Sequence, residues 1–539
     1  MSEEIKFEEP KTEAEFTIPE DVFPVPCGER DYTASSEKIF PVVGSLLVWF
    51  TRSGRVCEIV HDQHEHRLEI LTKERAVSEL ERVARRTEHR IARLEIDGDV
   101  HRWRSRTMPL SSMETLLQTE AARRELPPIR QLVSCPVLVE KAGGGCEVLA
   151  KGYHGHGGGT YVTAGTAPQE VPLHDAIQAL LDLHKDFAFV TESDKARTIA
   201  AMLSPALKMG GIISCDFPID VAEATESQSG KDFKHKLHSR LYNAIPSVIT
   251  PPKGGVGSLD ETISKALMSG SSFICLSNFR GRLESAILEA ALRGQDRVEC
   301  RALRTSATVD TTPFIWQLST NGAEFTRDLA NRSIISRIRK QPAGYAFHEF
   351  PEGDVIAHVK ANQPFYLGCI FAVIRAWIAC GKPLTNESRH DFREWTRAMD
   401  WIVQHIFELP PLLDGHKEEQ ERTGNPSRQW LRELSLGVVA QGLAGRPLSA
   451  TELVEVSDAA GLTLPGRKES DGKGCLRVGQ VLGTLFNAGR AVDSQTMELI
   501  VDGIAVRRVT RTERDAKRGE DVMLKEYSFW PGGAANGCY

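Results

Sequence analysis

Between residues 217 and 321, short apolar runs alternate with segments of helical period, and this alternation constrains the fold more than any other feature of the chain. The runs are FPIDVA (217–222), PSVITP, SSFICLSNF and TPFIWQLSTN; KDFKHKLHSRLYNA, SLDETISKALMSG and LESAILEAAL lie between them. Strands buried on both faces read as continuous apolar runs, and strands that alternate with helices pair in parallel. The expectation is an α/β core with a parallel sheet and helices on both faces. FTRDLANRSIISRIRK follows the fourth run.

The turn after the first run carries the chemistry. TESQSGKD (225–232) ends in Gly-Lys and opens a helix. A strand, a loop and a helix N-terminus form an anion site, because unpaired backbone N–H groups and the helix dipole face the anion. Gly lets the backbone approach, Lys binds β- and γ-phosphates, and a Ser or Thr hydroxyl ligates Mg²⁺. Here Ser229, Gly230 and Lys231 are in place, but Thr225 stands where the first Gly belongs and Asp232 where the hydroxyl belongs. The strand that holds Mg²⁺ through a carboxylate in such sites ends here in Ser277-Asn278. Asn321, in STNG, is placed beside the γ-phosphate position, and Arg327 and Arg332 are spaced to reach a neighbouring subunit's nucleotide. Asp232 either approaches Mg²⁺ itself or sets a negative charge against the phosphates.

At 539 residues the chain is too long for one core. Residues 1–125 read as an α/β domain with an acidic tail, and residues 126–190 as an extended and helical connection. The P-loop NTPase-like domain with its helical lid covers 191–412. The Pro-containing, charged stretch ELPPLLDGHKEEQERTGNPS reads as a linker. In 428–539, three helices precede a hairpin, the pattern of a winged helix that sets its third helix in a major groove. Ser449 and Glu452 form a capping box. The net charge of −7 excludes a chain that binds nucleic acid by overall charge, so any basic face is local. The local candidates are Arg507, Arg508, Arg511, Arg514 and Lys517, expected at the hairpin tip, with Arg477 beside the third helix. The 11 cysteines form no C-x-x-C pair and fit free thiols in a reducing cytoplasm. The histidines in HDQHEHRL and GYHGHGGG read as polar loops, and no metal ligand set is assigned. No apolar run is long enough to span a bilayer.

The order of these motifs resembles the primase-helicase-like AAA+ ATPases of phages, plasmids and integrated mobile elements. It runs from LPPIRQLVSCPVLV and GYHGHGGGTYV through the Gly-Lys loop, DETISKALMSGSSFICLSN, STNG and RDLANRS to FREWTRAMDWI and the C-terminal unit. The resemblance covers residues 126 to 530, about three quarters of the chain. It implies an AAA+ core, ATP with Mg²⁺, DNA as partner and a homo-oligomeric ring. The family's F-D-N and G-x-G-K-[ST] motifs match at Asn278, Gly230 and Lys231 and depart at Ser277 and Asp232. Two functions follow: a helicase-like replication protein with weak or lost hydrolysis, or an inactive DNA-binding scaffold that works through its winged helix and oligomer interface.

Overall fold

The computed structural model describes residues 17–27, 31–61, 66–97, 100–224, 228–250, 257–293, 297–302, 305–424, 426–462, 464, 474–487, 490–492, 495–501, 503–514 and 521–531. The protein is a mixed α/β chain built on a largely parallel sheet of six strands. In chain order its core elements are β1 (Ala188–Phe189), α1 (Glu192–Met209), β2 (Ile219–Glu223), α2 (Lys231–Leu241), β3 (Ser247–Ile249), α3 (Leu259–Ser269), β4 (Phe273–Leu283), β5 (Ile315–Phe325) and β6 (Ser333–Arg339). Across the sheet the order is β1-β6-β2-β5-β4-β3, and only the β1–β6 pair is antiparallel. The chain therefore leaves β2 in the middle, crosses to the far edge at β3, and returns. A crevice opens at the carboxyl end of a strand where the order reverses in this way, and the Gly-Lys loop follows β2.

All five residues of β2 are buried, as a central strand requires. One face of the sheet packs on α1, α2 and the helices Gln363–Ala379 and Arg393–His405, through Leu203, Leu237, Ile370 and Met399. The other packs on α3 and the short helices Ala286–Ala291 and Arg327–Asn331, through Ile263, Leu267, Leu288 and Leu329. The segment expected only to follow the fourth run divides at Arg332 into the 327–331 helix and β6.

β4 and β5 turn a corner together. Their register shifts after Leu276, and the backbone is left-handed at Asn278 (φ +57°) and Gly322 (φ +74°). Thr320 fixes the corner: its hydroxyl donates to Phe279 O (3.0 Å) and accepts from Ala323 N–H (2.7 Å). The far ends fold onto the sheet, where Leu283 and Phe325 join the core of Ile219 and Val221. The short 327–331 helix then brings the chain back to the start of β2, and Ile219 N–H donates to Arg332 O (3.0 Å).

Beneath α2 lies a buried ionic cluster. Lys234 Nζ, fully buried, donates to Asp220 Oδ1 of β2 (2.6 Å). His235 and His238 face the same carboxylate at 3.4 and 3.8 Å. His184 Nδ1–H donates to Leu180 O (3.0 Å), which leaves its Nε2 to accept from His238 Nε2–H (3.1 Å). Burial pushes the Asp220 carboxyl up, but Lys234 and the two histidines outweigh it and hold it well below the ordinary value.

The N-terminal residues form small sheets with helices Asp31–Ser45 and Lys73–Arg86 around them. The first of these helices includes Pro41 and starts at Asp31, inside the acidic tail, which the composition extends to about residue 35. The Ser53-Gly54 turn joins strands 50–52 and 55–61, the hairpin that a Ser-Gly pair between strand-like runs predicts. Arg52 reaches the core and donates to Leu267 O and Met268 O (3.2 Å each) at the end of α3. At the other end, the stretch expected as a linker contains the helix His416–Gly424, whose His416 Nε2 accepts from Ile335 N–H (3.3 Å). The C-terminal unit comprises α4 (Pro426–Ala440), α5 (Ala450–Ala459), α6 (Gly474–Asn487), β7 (Thr496–Val501), β8 (Ile504–Arg514) and β9 (Asp521–Pro531) around Leu434, Val478, Leu482, Val506 and Phe529. The Ser449–Glu452 capping box forms at α5. The first arm expected of the C-terminal hairpin, MELIVDGIAVRRV, is two strands, because Val501 pairs with Ile504 across a turn at Gly503 (φ +75°). Among the described residues no helix is long and apolar enough to cross a membrane.

Removing one partner of a buried ion pair leaves an uncompensated charge. Lys234→Ala should therefore destabilise the chain by about 3–5 kcal/mol, read from urea unfolding. The buried histidines set a pH dependence. Burial lowers the pKa of His184 to about 4 and also lowers those of His235, His238, His390 and His416. Below pH 6.5 the unfolded chain takes up these protons and the folded chain does not. Each such group removes about 1.4 kcal/mol per pH unit, so the urea midpoint should fall between pH 7.5 and pH 5. Asp220 acts in the same direction but only at lower pH, where stability is lost as pH falls below the ordinary carboxylate value. An unchanged midpoint at pH 5 would contradict the buried, neutral imidazoles.

Candidate functional site

The Gly-Lys loop joins the end of β2 to the start of α2. Gln228 (φ +62°) and Gly230 (φ +91°) are both left-handed, which aims successive N–H groups into one concavity. At Gly230 only glycine adopts this conformation without strain, and a Cβ there would meet Phe187 Cε1 at 3.3 Å. No side chain caps α2, so its first N–H groups remain available to an anion. Ser229 is buried, and its hydroxyl has no partner among the described residues. Thr225 lies outside the described residues.

Lys231 is 5% exposed. Its Nζ donates to Asn278 Oδ1 (2.7 Å) and approaches Asp232 Oδ2 (3.4 Å). Asn278 is held in turn, since its N–H donates to Ser319 Oγ (2.9 Å). Asp232 Oδ1 accepts from Ser277 Oγ (3.2 Å) and from Ser319 Oγ. The two departures from the expected pattern thus touch each other. The hydroxyl missing at 232 stands at 277, and the carboxylate missing at 277 stands at 232. Burial pushes the Asp232 carboxyl up; the Ser319 hydroxyl, the Lys231 ammonium and the Ser277 hydroxyl outweigh it and hold it below the ordinary range. Asn321 follows Thr320, which pairs with Glu223 at the end of β2. Its Oδ1 is buried without a partner among the described residues. Ser319 went unmarked in the sequence, although it stands two residues before Asn321 on the same strand.

Beside the loop is a cavity of about 420 Å³, within the range of small-molecule sites. Gln228, Ser229 and Gly230 form one wall; Phe187, Phe233, Phe347 and Phe350 supply aromatic surface. The irregular segment 340–354 forms the outer wall, and Asp186 holds it in place. Its carboxylate accepts from Tyr345 OH (2.9 Å) and His348 N–H (3.0 Å), and its carbonyl from Gln341 Nε2 (2.7 Å). Phe347 is 62% exposed even so. These aromatic residues were missed. The available signal was AGYAFHEFPEGD, an aromatic-rich stretch inside a Gly- and Pro-bearing loop.

Neither arginine of RDLANRS faces the loop. Arg332 lies at the start of β6, level with the start of β2 and a strand's length from Gly230. Its Nη1 is 3.5 Å from Asp328. Arg327 opens onto a separate basic cleft beside α4. In the C-terminal unit, Arg507, Arg508 and Arg511 lie along β8, paired with β9, and not at the tip of the hairpin; Lys517 lies outside the described residues. Arg507 pairs with Glu498 (2.6 Å), and Arg511 is 3.6 Å from Glu526. Arg508 turns inward over the Phe486 ring (5.2 Å) and donates to Met497 Sδ (2.9 Å). Arg514 ends β8, and Arg477 Nη1 donates to Gln480 Oε1 (3.2 Å) on α6. Among the described residues no group of three or more His, Cys, Asp or Glu side chains is placed to hold a metal ion.

No family model matches the chain, and no curated protein matches it. Solved structures do. One is the SCCmec type IV Cch active helicase, at 12% identity over 89% of this chain and 91% of that chain, with a TM-score of 0.31. Another is the apo A form of the NrS-1 C-terminal region, at 11% identity over 88% and 96%, with a TM-score of 0.32. The JCV helicase is similar over 47% of this chain and 71% of its own, at 11% identity and a TM-score of 0.21. The likeness to these structures is distant.

If the loop takes a nucleotide, as the sequence leads us to expect, Lys231→Ala should weaken that binding by removing the cation at the loop, and Phe187→Ala by removing base surface worth about 1–3 kcal/mol. Calorimetric titration with ATP tests both, and equal affinity in variant and parent would exclude the residue concerned from the site.

Proposed function

We propose that the chain is a helicase-like AAA+ protein that binds ATP at the Gly-Lys loop, hydrolyses it weakly or not at all, and acts on DNA through a C-terminal winged helix. The observation that carries this reading is the continuity of the loop with the aromatic cavity. Phosphates would lie on the N–H groups of 228–231, and a base would stack among Phe187, Phe347 and Phe350. An anion cradle joined to an aromatic pocket suits a nucleotide better than a bare phosphate.

The same site explains slow chemistry. Asp232 is already hydrogen-bonded by Ser277 and Ser319 and neutralised by Lys231, and Lys231 is held by Asn278. No carboxylate remains at position 277 to orient a water. The donor set is all oxygen and fits Mg²⁺, which takes one or two carboxylates together with substrate phosphates. Asp232, with Ser277 and Ser319 beside it, would hold the ion and so neutralise phosphate charge. Assembly into a homo-oligomeric ring belongs to this proposal. The Lys231–Asn278 hydrogen bond also favours a second reading, in which chemistry is lost and the chain is a DNA-binding scaffold.

Magnesium-dependent ATP turnover, measured with and without single-stranded DNA, separates the readings. The parent should turn over far more slowly than the median enzyme at about 10 s⁻¹, and turnover near that value would overturn the proposal. Asp232→Thr combined with Ser277→Asp should raise turnover by returning each group to the other's place. If binding is intact and the double variant gains nothing, the scaffold reading stands.

A further inference from the structure

We propose that the seam between the core and the C-terminal unit is a second phosphate site, one that takes the phosphodiester backbone of a nucleic acid. The seam is a cleft of about 880 Å³ bounded by the 327–331 helix, the 416–424 helix and α4. Among the described residues that line it, five are cations (Arg327, Arg389, Lys417, Arg428 and Arg432) and none is a carboxylate. The whole chain has a net charge of −7, so this is a local concentration set against the overall composition. Arg389 is engaged by Glu387 at 2.6–3.1 Å. Arg428 and Arg432 also have partners; with Arg327 and Lys417 they come from three elements that meet at the seam. Arg327, Lys417 and Arg428 are exposed. His416 also lines the cleft, and burial keeps it neutral.

The lining decides the ligand. Guanidinium forks match phosphate oxygens in pairs. Among the described residues no Phe, Tyr or Trp lines this cleft, and its one ring, His416, is buried, whereas four phenylalanines line the cavity at the Gly-Lys loop. A mononucleotide here would have no platform for its base; a polymer backbone needs none. Cations spread over three elements suit a ligand whose charges repeat at regular spacing. Val501, at one edge of the cleft, ends β7, which is hydrogen-bonded along its length to β8 with Arg507 and Arg511. One edge of the cleft therefore adjoins the strand pair that carries those arginines.

The inference rests on the reading that the chain acts on nucleic acid, and the experiment separates the two. The full chain is titrated with a short mixed-sequence duplex across a range of salt, and with ATP. Lys417→Ala/Arg428→Ala/Arg432→Ala should bind the duplex on the order of tenfold more weakly. Its slope of log affinity against log salt should become shallower by about 0.9 for each phosphate that is no longer neutralised. ATP affinity should not change, and Arg428→Lys/Arg432→Lys should keep most of the binding, which separates a loss of charge from a loss of folding. If the triple variant binds the duplex as the parent does, the site is refuted and the nucleic-acid reading survives. If it loses ATP affinity and keeps the duplex, the cleft takes a nucleotide's phosphates and the proposal is wrong. If the parent shows no salt-sensitive duplex binding, both fall together.

Discussion

The ion pair between Asp220 and Lys234 is the constraint on which the candidate site depends. It joins the central strand to the helix that the loop opens, in a place water does not reach. An ion pair in that setting gains little net stability over an apolar pair, because both charges lose hydration. It is directional, however, in a way that packed leucines are not. With Lys234 fixed on Asp220, α2 has one rotation about its axis, and Lys231, three residues earlier, sits about one turn away on a neighbouring face. The histidines add to this effect. His184 lies just past the helix that precedes β1, so its link to His238 ties a third element to the same point.

Above this support, the site separates two properties that often travel together. The features by which phosphate loops in general recognise an anion are present: a left-handed Gly230, an uncapped helix start and a buried lysine. The features that prepare it for cleavage are rearranged, with acid and hydroxyl exchanged across one hydrogen bond. The exchange conserves the local charge, since one carboxylate and one hydroxyl remain. It changes which element carries the carboxylate, and so where that charge lies relative to a bound phosphate. A helix start and a strand end approach the same space from different directions. For this reason a sequence pattern that counts only residue types does not separate decay from rearrangement.

Much of the sheet was legible because β2, β3, β4 and β5 are apolar runs set between helical periods. Ser53-Gly54 and the Ser449–Glu452 pair were legible because they act through neighbouring backbone alone. The remainder depended on distant residues. β6 was not separated from its helix because SIISRIR follows RDLAN with only Arg332 between. The hairpin of 297–302 and 305–310 alternates polar and apolar residues, but its strands pair with each other alone, outside the main sheet. The 416–424 helix has almost no apolar face, and what fixes it is His416 docking on Ile335. The inward turn of Arg508 needed Phe486, 22 residues earlier, to be seen. At the candidate site, Lys231 and Asn278 were legible as a motif, while the aromatic wall was not, because Phe187 and Phe347 are 160 residues apart and meet only through Asp186.

The corner in β4 and β5 also places the two clefts of the molecule relative to one another. Asn278 stands at the corner, with Lys231 on one side and the folded-back strand ends on the other. From the end of β5 the chain passes Thr326 straight into Arg327, which lines the cleft beside α4. A single pair of hydrogen-bonded strands thus spans the interval between the Gly-Lys loop and the seam with the C-terminal unit.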